Sequence, residues 1–444
     1  MQFRINKISN FQLILISFAG IILFGSLLLS LPISTANGQP AGFSDALFTS
    51  VSAVCVTGLV VHDTATYWSG FGQAVILILI QIGGLGVVSA ASAVSLISGK
   101  KIHLSQRSTM QEAVAAPQIG GVVRFTGFIF KMTFGIELAG FLLMSPVFCT
   151  RFGFWKGIWY ALFHSVSAFC NAGFDLMGIN QPYSSLTSFV GSPLINIVVM
   201  LLIISGGLGF SVWEDIKTNG IHIKKYRLQS KAVLLVTVIL IFAPAVYFYI
   251  FEFSGWKMTT GERVFASLFQ SVTTRTAGFN TADLAAMSPC STALMITLML
   301  IGGSTGSTAG GMKTTTFAVL VSSALSVFRS KKDTRMFGRC IENETVSKAS
   351  ALLLMYLTLF FFGGLSISLI ENLPIGSCLF EAASAIGTVG LSLGITSSLG
   401  VVSRAILICL MFFGRVGGLT FIFAAFTPKR EDYSRLPSEK INIG

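Results

Sequence analysis

Long apolar runs, separated by short polar connectors, dominate the pattern of this chain. Four of the runs contain no charged residue: 11–31, 70–98, 232–251 and 349–370. Each is long enough for a helix that crosses the hydrocarbon core of a bilayer, which takes about 20 residues. The first run follows basic residues, as in a signal peptide. Because it is longer than the apolar region of a typical signal peptide, we expect a retained membrane helix.

Shorter apolar stretches lie between successive long runs. They are too apolar for ordinary loops and too short to cross the membrane, a combination typical of re-entrant segments. The pattern therefore predicts an all-α integral membrane protein built from four M1-P-M2 repeats, each with two transmembrane helices flanking a re-entrant pore loop. Eight transmembrane helices and four pore loops would surround one central pore. The predicted boundaries are 1–99 for repeat 1, 100–231 for repeat 2, 232–345 for repeat 3 with a broken M2 helix, 346–428 for repeat 4 and 429–444 for a cytoplasmic tail.

Composition and charge support a membrane location and set the orientation. Only 11% of the residues are charged, against about 25% in typical soluble domains. Of the 30 lysines and arginines, 21 fall in the termini and in the connectors 99–124, 213–231 and 329–348. By the positive-inside rule both termini are cytoplasmic, in a multi-pass protein of the plasma (inner) membrane. The net charge of +12 therefore reports orientation rather than nucleic-acid binding.

One motif occurs four times, once in each re-entrant segment. Each copy begins with Leu-Phe and ends with glycine and a large apolar residue. From phenylalanine to glycine is ten residues in three copies and nine in the third, so we expect a small departure in the geometry or register of that copy. The copies are ALFTSVSAVCVTGL (46–59), ALFHSVSAFCNAGF (161–174), SLFQSVTTRTAGF (267–279) and CLFEAASAIGTVGL (378–391).

The repeated glycine predicts a cation filter. Non-helical backbone at membrane depth leaves carbonyl groups without partners unless water or an ion satisfies them. Four such strands around one axis can form rings of carbonyl oxygens that replace the hydration shell of an ion. Glycine supplies the backbone conformations that this requires and leaves the axis clear. The predicted filter segments are Val56-Thr57-Gly58, Asn171-Ala172-Gly173, Thr276-Ala277-Gly278 and Thr388-Val389-Gly390.

A short helix is predicted before each filter segment, over about 44–54, 157–168, 261–273 and 376–385. These helices would point their C-termini at the pore centre, where the helix dipole favours a cation. Ser44 or Asp45 can cap the first of them, and Thr259 or Thr260 the third.

Glycine clusters recur in the helix that follows each filter segment. For three of the four we favour helix packing, since small residues let membrane helices approach closely. In the third repeat the apolar run 292–328 would form a helix of about 55 Å, against an apolar slab of about 30 Å, so a break is expected there. The clusters are Gly83-Gly84-Leu85-Gly86, Gly206-Gly207-Leu208-Gly209, Gly302-Gly303 and Gly417-Gly418-Leu419.

Several charged or polar residues lie at membrane depth. Arg415 stands in an otherwise uncharged span, so it should face a cavity or a partner, either as a barrier or gate contact or in simple bonding between helices. Arg275 should point back into the protein, because a cation beside an ion path is repulsive, and Glu381 is one candidate partner. The motif position shared by Thr49, His164, Gln270 and Glu381 is expected to tie the short helices to their surroundings.

Four M1-P-M2 repeats in one chain, with one glycine in each filter segment, resemble the Trk/Ktr/HKT superfamily of potassium transporters. The segment GGSTGSTAGGMKTTTF (302–317) makes the chain most similar to the KtrB-type membrane subunits of Ktr systems. The resemblance implies potassium as the transported ion, held by backbone carbonyls near Gly58, Gly173, Gly278 and Gly390, and no covalent cofactor. It also implies a homodimer in the lipid membrane on a cytoplasmic, KtrA-like nucleotide-binding ring, with nucleotide bound only by that partner.

The resemblance further implies an intramembrane gate at the break in the third repeat. Its predicted residues are Gly302, Gly303, Ser304, Thr305, Gly306, Ser307, Thr308, Ala309, Gly310, Gly311 and Lys313, together with Arg415.

Three other functions fit the sequence less well. In related plant transporters a serine at the first filter position accompanies sodium preference, and Gly58 therefore disfavours a sodium-selective or sodium-coupled member of the superfamily. A secondary transporter with broken helices would show inverted or paired repeats rather than four hairpins of one orientation. An enzyme would need a nucleophile with a base, or a metal constellation, and the sequence shows neither.

Overall fold

The computed structural model describes residues 9–86, 110–111, 121–179 and 181–418. The end of the predicted first M2 helix, most of the connector 99–124 and the predicted tail lie outside the described residues. The regular secondary structure of these residues is helical apart from one short hairpin of β1 (Arg335–Met336) and β2 (Arg339–Cys340).

The helices follow the order of the predicted repeats. In chain order they are α1 (Asn10–Leu29), α2 (Phe43–Val54), α3 (Thr64–Tyr67), α4 (Gly70–Leu85), α5 (Val122–Phe152), α6 (Phe154–Phe169), α7 (Pro193–Gly207), α8 (Phe210–Asn219), α9 (Leu228–Tyr247), α10 (Thr260–Thr273), α11 (Pro289–Leu300), α12 (Thr314–Phe328), α13 (Asn343–Glu371), α14 (Ile375–Gly387) and α15 (Val401–Val416). A π-helical turn (Phe248–Glu252) extends α9, and single 3₁₀ turns occupy several connections.

Among the described residues, four helices are long and apolar enough to cross a membrane: α1, α5, α13, and α9 with its extension to Gly255. A fifth span is possible if α7 and α8, which are bent by 96° at their junction, count as one. These helices fit a multi-pass membrane protein. The prediction of eight spans stays a prediction, because the remaining candidates among the described residues are shorter apolar helices.

Glycines of three of the clusters mark the ends of helices. Gly86, Gly209 and Gly417 follow the C-termini of α4, α7 and α15 with φ of 84°, 88° and 87°, a conformation that ends a right-handed helix and that other residues rarely adopt. The packing role expected for the clusters is also present. A side chain at Gly83 or Gly206 would collide with the carbonyl oxygen of the last residue of α2 or α6.

The predicted break in the third repeat is confirmed. Helix α11 ends at Leu300 and α12 begins at Thr314, so the run 292–328 is two helices joined by non-helical chain. We call the connection Gly302–Lys313 the glycine-rich loop.

The four short helices α2, α6, α10 and α14 cover the predicted segments, and each packs against the long helix before it. Hydroxyl groups fix this packing in three cases: Ser50 donates to the carbonyl of Ile22 (2.7 Å), Ser165 to that of Glu137 (2.6 Å) and Ser271 to that of Ile241 (2.5 Å). Such bonds are favourable at membrane depth because little else can satisfy the hydroxyl.

The capping predictions had mixed outcomes. Thr259 caps α10 in a capping box with Glu262, as expected. For α2 the prediction was wrong, because its N-cap is Gly42 and no side chain caps it. Asp45, in the first turn, instead binds Arg404 of α15 (2.7 Å) and His62 (2.8 Å). This cluster joins the predicted first and last repeats, which are not consecutive in the chain.

The Arg404→Ala variant should lower stability, because it leaves Asp45 without its charged donor in a largely buried setting. We expect a loss of about 1.5–3 kcal/mol, measured as a lower midpoint of thermal unfolding in detergent. Lys348→Ala is the matched control: its ion pair with Glu344 is exposed, so the midpoint should not change. Equal midpoints for the two variants would contradict a role for Asp45–Arg404 in joining the repeats.

Candidate functional site

The four predicted filter segments adopt the same backbone turn. The residue two positions before each glycine is in the left-handed region, and the glycine itself has positive φ. Valine and threonine seldom adopt left-handed φ, so the surrounding structure must hold them there. The φ values are 56° for Val56, 59° for Asn171, 63° for Thr276 and 50° for Thr388, and 92°, 70°, 82° and 93° for Gly58, Gly173, Gly278 and Gly390.

The segments form a closed ring in chain order. A Cβ atom added to any of the four glycines would lie closer than 3.0 Å to a backbone carbonyl oxygen of the next segment. The fourth glycine lies against the first segment, so the four segments form a closed ring. Only glycine therefore fits at these positions. The carbonyl oxygens met are those of Ala172 for Gly58, Ala277 for Gly173, Val389 for Gly278 and Thr57 for Gly390.

The third segment keeps this turn although its motif is one residue shorter. The residue before each glycine donates its backbone N–H to a carbonyl oxygen near the end of the short helix. In three segments the acceptor lies five residues earlier in the chain, as in the bond from Thr57 to the carbonyl of Ser52 (2.8 Å). In the third the acceptor lies four residues earlier, in the bond from Ala277 to the carbonyl of Thr273 (3.0 Å). The third copy is therefore one residue shorter in the turn after α10. Its glycine has the same backbone conformation as the other three.

One hydroxyl near the end of each short helix anchors the following segment. Ser52 accepts from Gly58 N and Ser384 from Gly390 N, both at 3.0 Å. Ser167 donates instead to the carbonyl of Phe174 (2.7 Å), and Thr273 to that of Phe279 (2.5 Å). These anchors were not predicted from the sequence. The recurring serine or threonine at one motif position was the signal that could have found them.

The site has the oxygen groups that suit a hard cation. The buried hydroxyls of Thr57, Thr276 and Thr388 have no hydrogen-bond partner among the described residues. The C-termini of the short helices lead directly into the ring, and their dipoles place partial negative charge there. Carbonyls, hydroxyls and helix C-termini together favour a positive ion without its water shell.

A cavity of about 220 Å³ opens on the side of the loops that follow the segments, and the four glycines of the ring line it. Asp63, Asp175 and Asp283 add acidic groups to its wall. Burial raises the pKa of Asp175 to about 7, and the nearby Asp63 carboxylate contributes in the same direction. Asp63 itself accepts from the backbone N–H groups of Ala65 (3.0 Å) and Tyr183 (2.9 Å). The acidic wall makes this mouth attractive to cations.

The glycine-rich loop lies against the opposite, helix end of the ring. Thr308 Oγ1 donates toward the carbonyl of Phe169 and toward Asn171 Oδ1, each at 3.1 Å. On the other side, a Cβ at Gly310 would collide with the Thr388 side chain. The loop therefore contacts both the second and the fourth segment.

Arg415 ties this loop to the first repeat. Its guanidinium donates to the carbonyl of Thr308 in the loop and to those of Gly83 and Gly84 (3.2 Å for the latter) near the end of α4. Lys313 donates to the carbonyl of Ala309 within the loop (2.8 Å). The structure thus brings together all predicted gate residues.

The expectations for three other residues can be compared with the contacts. Arg275 is buried and points back into the protein, donating to Thr237 of α9 (3.2 Å). Glu381 was the wrong partner for it: its carboxylate accepts from Ser392 and Thr396. His164 ties α6 to the chain after the second segment through the backbone N–H of Leu176 (3.4 Å).

The same expectation was wrong for the other two residues at this motif position. Thr49 donates within its own helix, to the carbonyl of Asp45 (2.9 Å), and the side-chain amide of Gln270 has no hydrogen-bond partner among the described residues.

Comparisons with known proteins show the family and the fold of this chain. The family model described as TrkH, "Cation transport protein", matches residues 16–433. The chain is 40% identical over 454 residues to the potassium/sodium uptake protein NtpJ of Enterococcus hirae, covering 100% of this chain and 99% of that protein. It is also 40% identical over 438 residues to the Ktr system potassium uptake protein B of Bacillus subtilis, covering 98% and 96%. The crystal structure of the potassium transporter TrkH from Vibrio parahaemolyticus matches with a TM-score of 0.72 at 19% identity, over 96% of this chain and 87% of that one, which shows a shared fold.

The Ser384→Ala variant should weaken the fourth segment, because it leaves the N–H of Gly390 without its acceptor. We expect a loss of about 1–3 kcal/mol of stability, measured by thermal unfolding. Ser398→Ala is the control, because that exposed hydroxyl bonds only its local turn. An unchanged unfolding midpoint for Ser384→Ala would show that the hydroxyl does not anchor the segment.

Proposed function

This chain belongs to the TrkH family of cation transport proteins, and on that premise we propose that it takes up potassium through one pore whose selectivity filter is the ring of four glycine segments. The family consists of transporters, so the chain is a transporter rather than an enzyme. The proposal includes four repeats bounded near residues 99, 231, 345 and 428, with both termini cytoplasmic.

The closed ring of glycines carries this proposal. Four backbone turns of one conformation, meeting in chain order around a common centre, are what a pore of carbonyl oxygens requires. Simple helix packing would not need the same left-handed turn in every segment. The acidic mouth on one side and the helix C-termini on the other both favour cations.

Potassium is the proposed cargo because full-length relatives are named for its uptake. One of them is named for potassium and sodium, which favours, as a second candidate, a filter that admits both ions. The glycine at every filter position supports the potassium-selective alternative, since no side chain narrows the ring or adds a ligand there.

The glycine-rich loop is the proposed gate. It lies at the helix end of the ring, in the path an ion would take after the filter, and unwound backbone is tolerated at membrane depth only where it is buried in protein or lines a wet cavity. Arg415 holds the loop through its bond to Thr308, and its charge opposes a cation there.

A regulator and a second copy complete the proposal. Likeness to a Ktr system protein over nearly the whole chain supports a homodimer that works with a cytoplasmic, KtrA-like nucleotide-binding ring. Nucleotide would bind to that partner.

Gly58→Ser should lower the preference for potassium over sodium. A Cβ at Gly58 collides with the Ala172 carbonyl, so the ring must distort. The serine hydroxyl also adds a side-chain ligand to the backbone carbonyl groups. We expect discrimination to fall by about tenfold, or ~1.4 kcal/mol. The measurement is radioactive rubidium uptake into proteoliposomes with increasing sodium or potassium as competitor.

The control is Gly20→Ser in α1, because a side chain at Gly20 meets nothing within 4 Å. Wild-type protein without rubidium uptake would refute the transport proposal. Identical competition curves for wild type and Gly58→Ser would refute the filter assignment of the first segment.

Deletion of Thr305–Ala309, or Arg415→Ala, should raise potassium flux in the absence of any cytoplasmic partner. Each change removes contacts that hold the loop beneath the filter, and charge-assisted bonds of about 1.5–3 kcal/mol correspond to roughly tenfold or more in flux. Ion preference should stay nearly unchanged, because the ring is intact.

Flux is measured on purified variants that elute as the wild type in size-exclusion chromatography. Arg335→Ala, in the exposed hairpin, serves as the charge-removal control and should not alter flux. Unchanged or reduced uptake in both the deletion and Arg415→Ala would leave packing as the better account of the loop.

A further inference from the structure

Glu137 is a carboxyl group near the middle of the long membrane helix α5. It is the only acidic residue in that helix, and its side chain is only 5% exposed. Charged side chains at this depth are costly and usually face a partner inside the protein. The function proposed above gives Glu137 no role.

Its contacts lie directly behind the second filter segment. Gln81 of α4 donates to Glu137 Oε2 (3.2 Å), and the thiol of Cys170 lies 3.8 Å from Oε1. Cys170 is the C-cap of α6 and is bonded to Asn171, the first residue of the segment. The same thiol lies 3.7 Å from Gln81 Oε1. One carboxyl group therefore joins α4, α5 and the base of the segment.

The close packing of this junction leaves Cys170 little freedom. A Cβ at Gly84 would meet Cys170 Sγ at 2.6 Å, so α4 presses on the thiol from one side. Arg415 binds the carbonyls of Gly83 and Gly84 in the same turn of α4. The thiol is thus enclosed between a fixed helix end and the Glu137 carboxyl.

The corresponding positions in two other repeats carry no charge. Ser165 of α6 bonds the carbonyl of Glu137, and the equivalent hydroxyls of α2 and α10 bond the carbonyls of Ile22 and Ile241. An isoleucine thus suffices for packing a short helix on its long helix. The carboxyl group of Glu137 is therefore not required for this packing.

We propose that Glu137 is a positioning residue for ion selectivity: its carboxyl group holds Cys170, and through it Asn171-Ala172-Gly173, at the spacing that the ring of four segments requires. This inference rests on the proposed function of the ring as a filter. Because the ring closes through contacts between neighbouring segments, a shift of the second changes its distance to the first and third.

Two pairs of variants test the contact from both ends. Glu137→Ile installs the residue found at this place in two other repeats and removes the acceptor, whereas Glu137→Gln keeps an acceptor oxygen. Cys170→Ala removes the donor, whereas Cys170→Ser keeps one. Thr133→Val is the matched control, one turn earlier on α5, because the buried Thr133 hydroxyl has no hydrogen-bond partner among the described residues.

The readout is a ratio: the sodium concentration that halves rubidium uptake into proteoliposomes, divided by the potassium concentration that does the same. The maximal uptake rate is measured separately for each variant. Glu137→Ile and Cys170→Ala should each lower this ratio by about fivefold, as expected for loss of one hydrogen bond. Glu137→Gln, Cys170→Ser and Thr133→Val should keep the ratio within about twofold of wild type. A purely structural role would lower the uptake rate and leave the ratio unchanged.

Wild-type ratios in both Glu137→Ile and Cys170→Ala overturn the proposal, as does an equal loss in Glu137→Gln. If Glu137→Ile fails to assemble, the Cys170 pair decides: a wild-type ratio in Cys170→Ala overturns the proposal, and a loss that Cys170→Ser restores supports it. Gly58→Ser, measured in parallel, separates the two hypotheses. Altered competition in Gly58→Ser with wild-type ratios in the other variants refutes the role of Glu137 alone, whereas wild-type ratios in all of them refute the filter itself.

Discussion

The rest of this structure depends on backbone carbonyl groups that cannot be bonded within a helix. Four short helices end at the centre of the protein, and the chain after each of them turns through a left-handed residue into a glycine of positive φ. At membrane depth such backbone is unfavourable unless something satisfies its oxygens. A ring of these groups around one centre converts that cost into an environment for a cation.

Holding four such turns requires support from outside the ring. Hydroxyls near the ends of the short helices bond the segments, and hydroxyls two residues earlier bond the preceding long helices in three cases. Glycines of the following helices allow direct contact with the ends of the short helices, as at Gly83 and Gly206. Strained residues such as Val56 persist because these contacts over-determine their conformation.

Ionisable side chains lie where separate predicted repeats meet. Arg415 connects the glycine-rich loop to α4, Glu137 connects α4 and α5 to the second segment, and Arg404 connects α15 to α2. Each bonds groups that belong to different predicted repeats. Because a buried polar group is costly without its hydrogen-bond partner, such bonds favour one relative placement of the helices over nearby alternatives.

The sequence by itself determined the long helices, the four short helices, the glycine turns and the break in the third repeat. These follow from local properties: apolar length, the conformational freedom of glycine, and the mismatch between the run 292–328 and the membrane. Only the tertiary structure decided the partners of the side chains. Sequence reasoning offered Ser44 or Asp45 as a helix cap and Glu381 as one candidate partner of Arg275, and it gave Glu137 no role. In the structure Asp45 binds Arg404, a residue more than 300 positions away. Such pairings depend on how the helices close around the ring of glycine segments, and no local pattern encodes that arrangement.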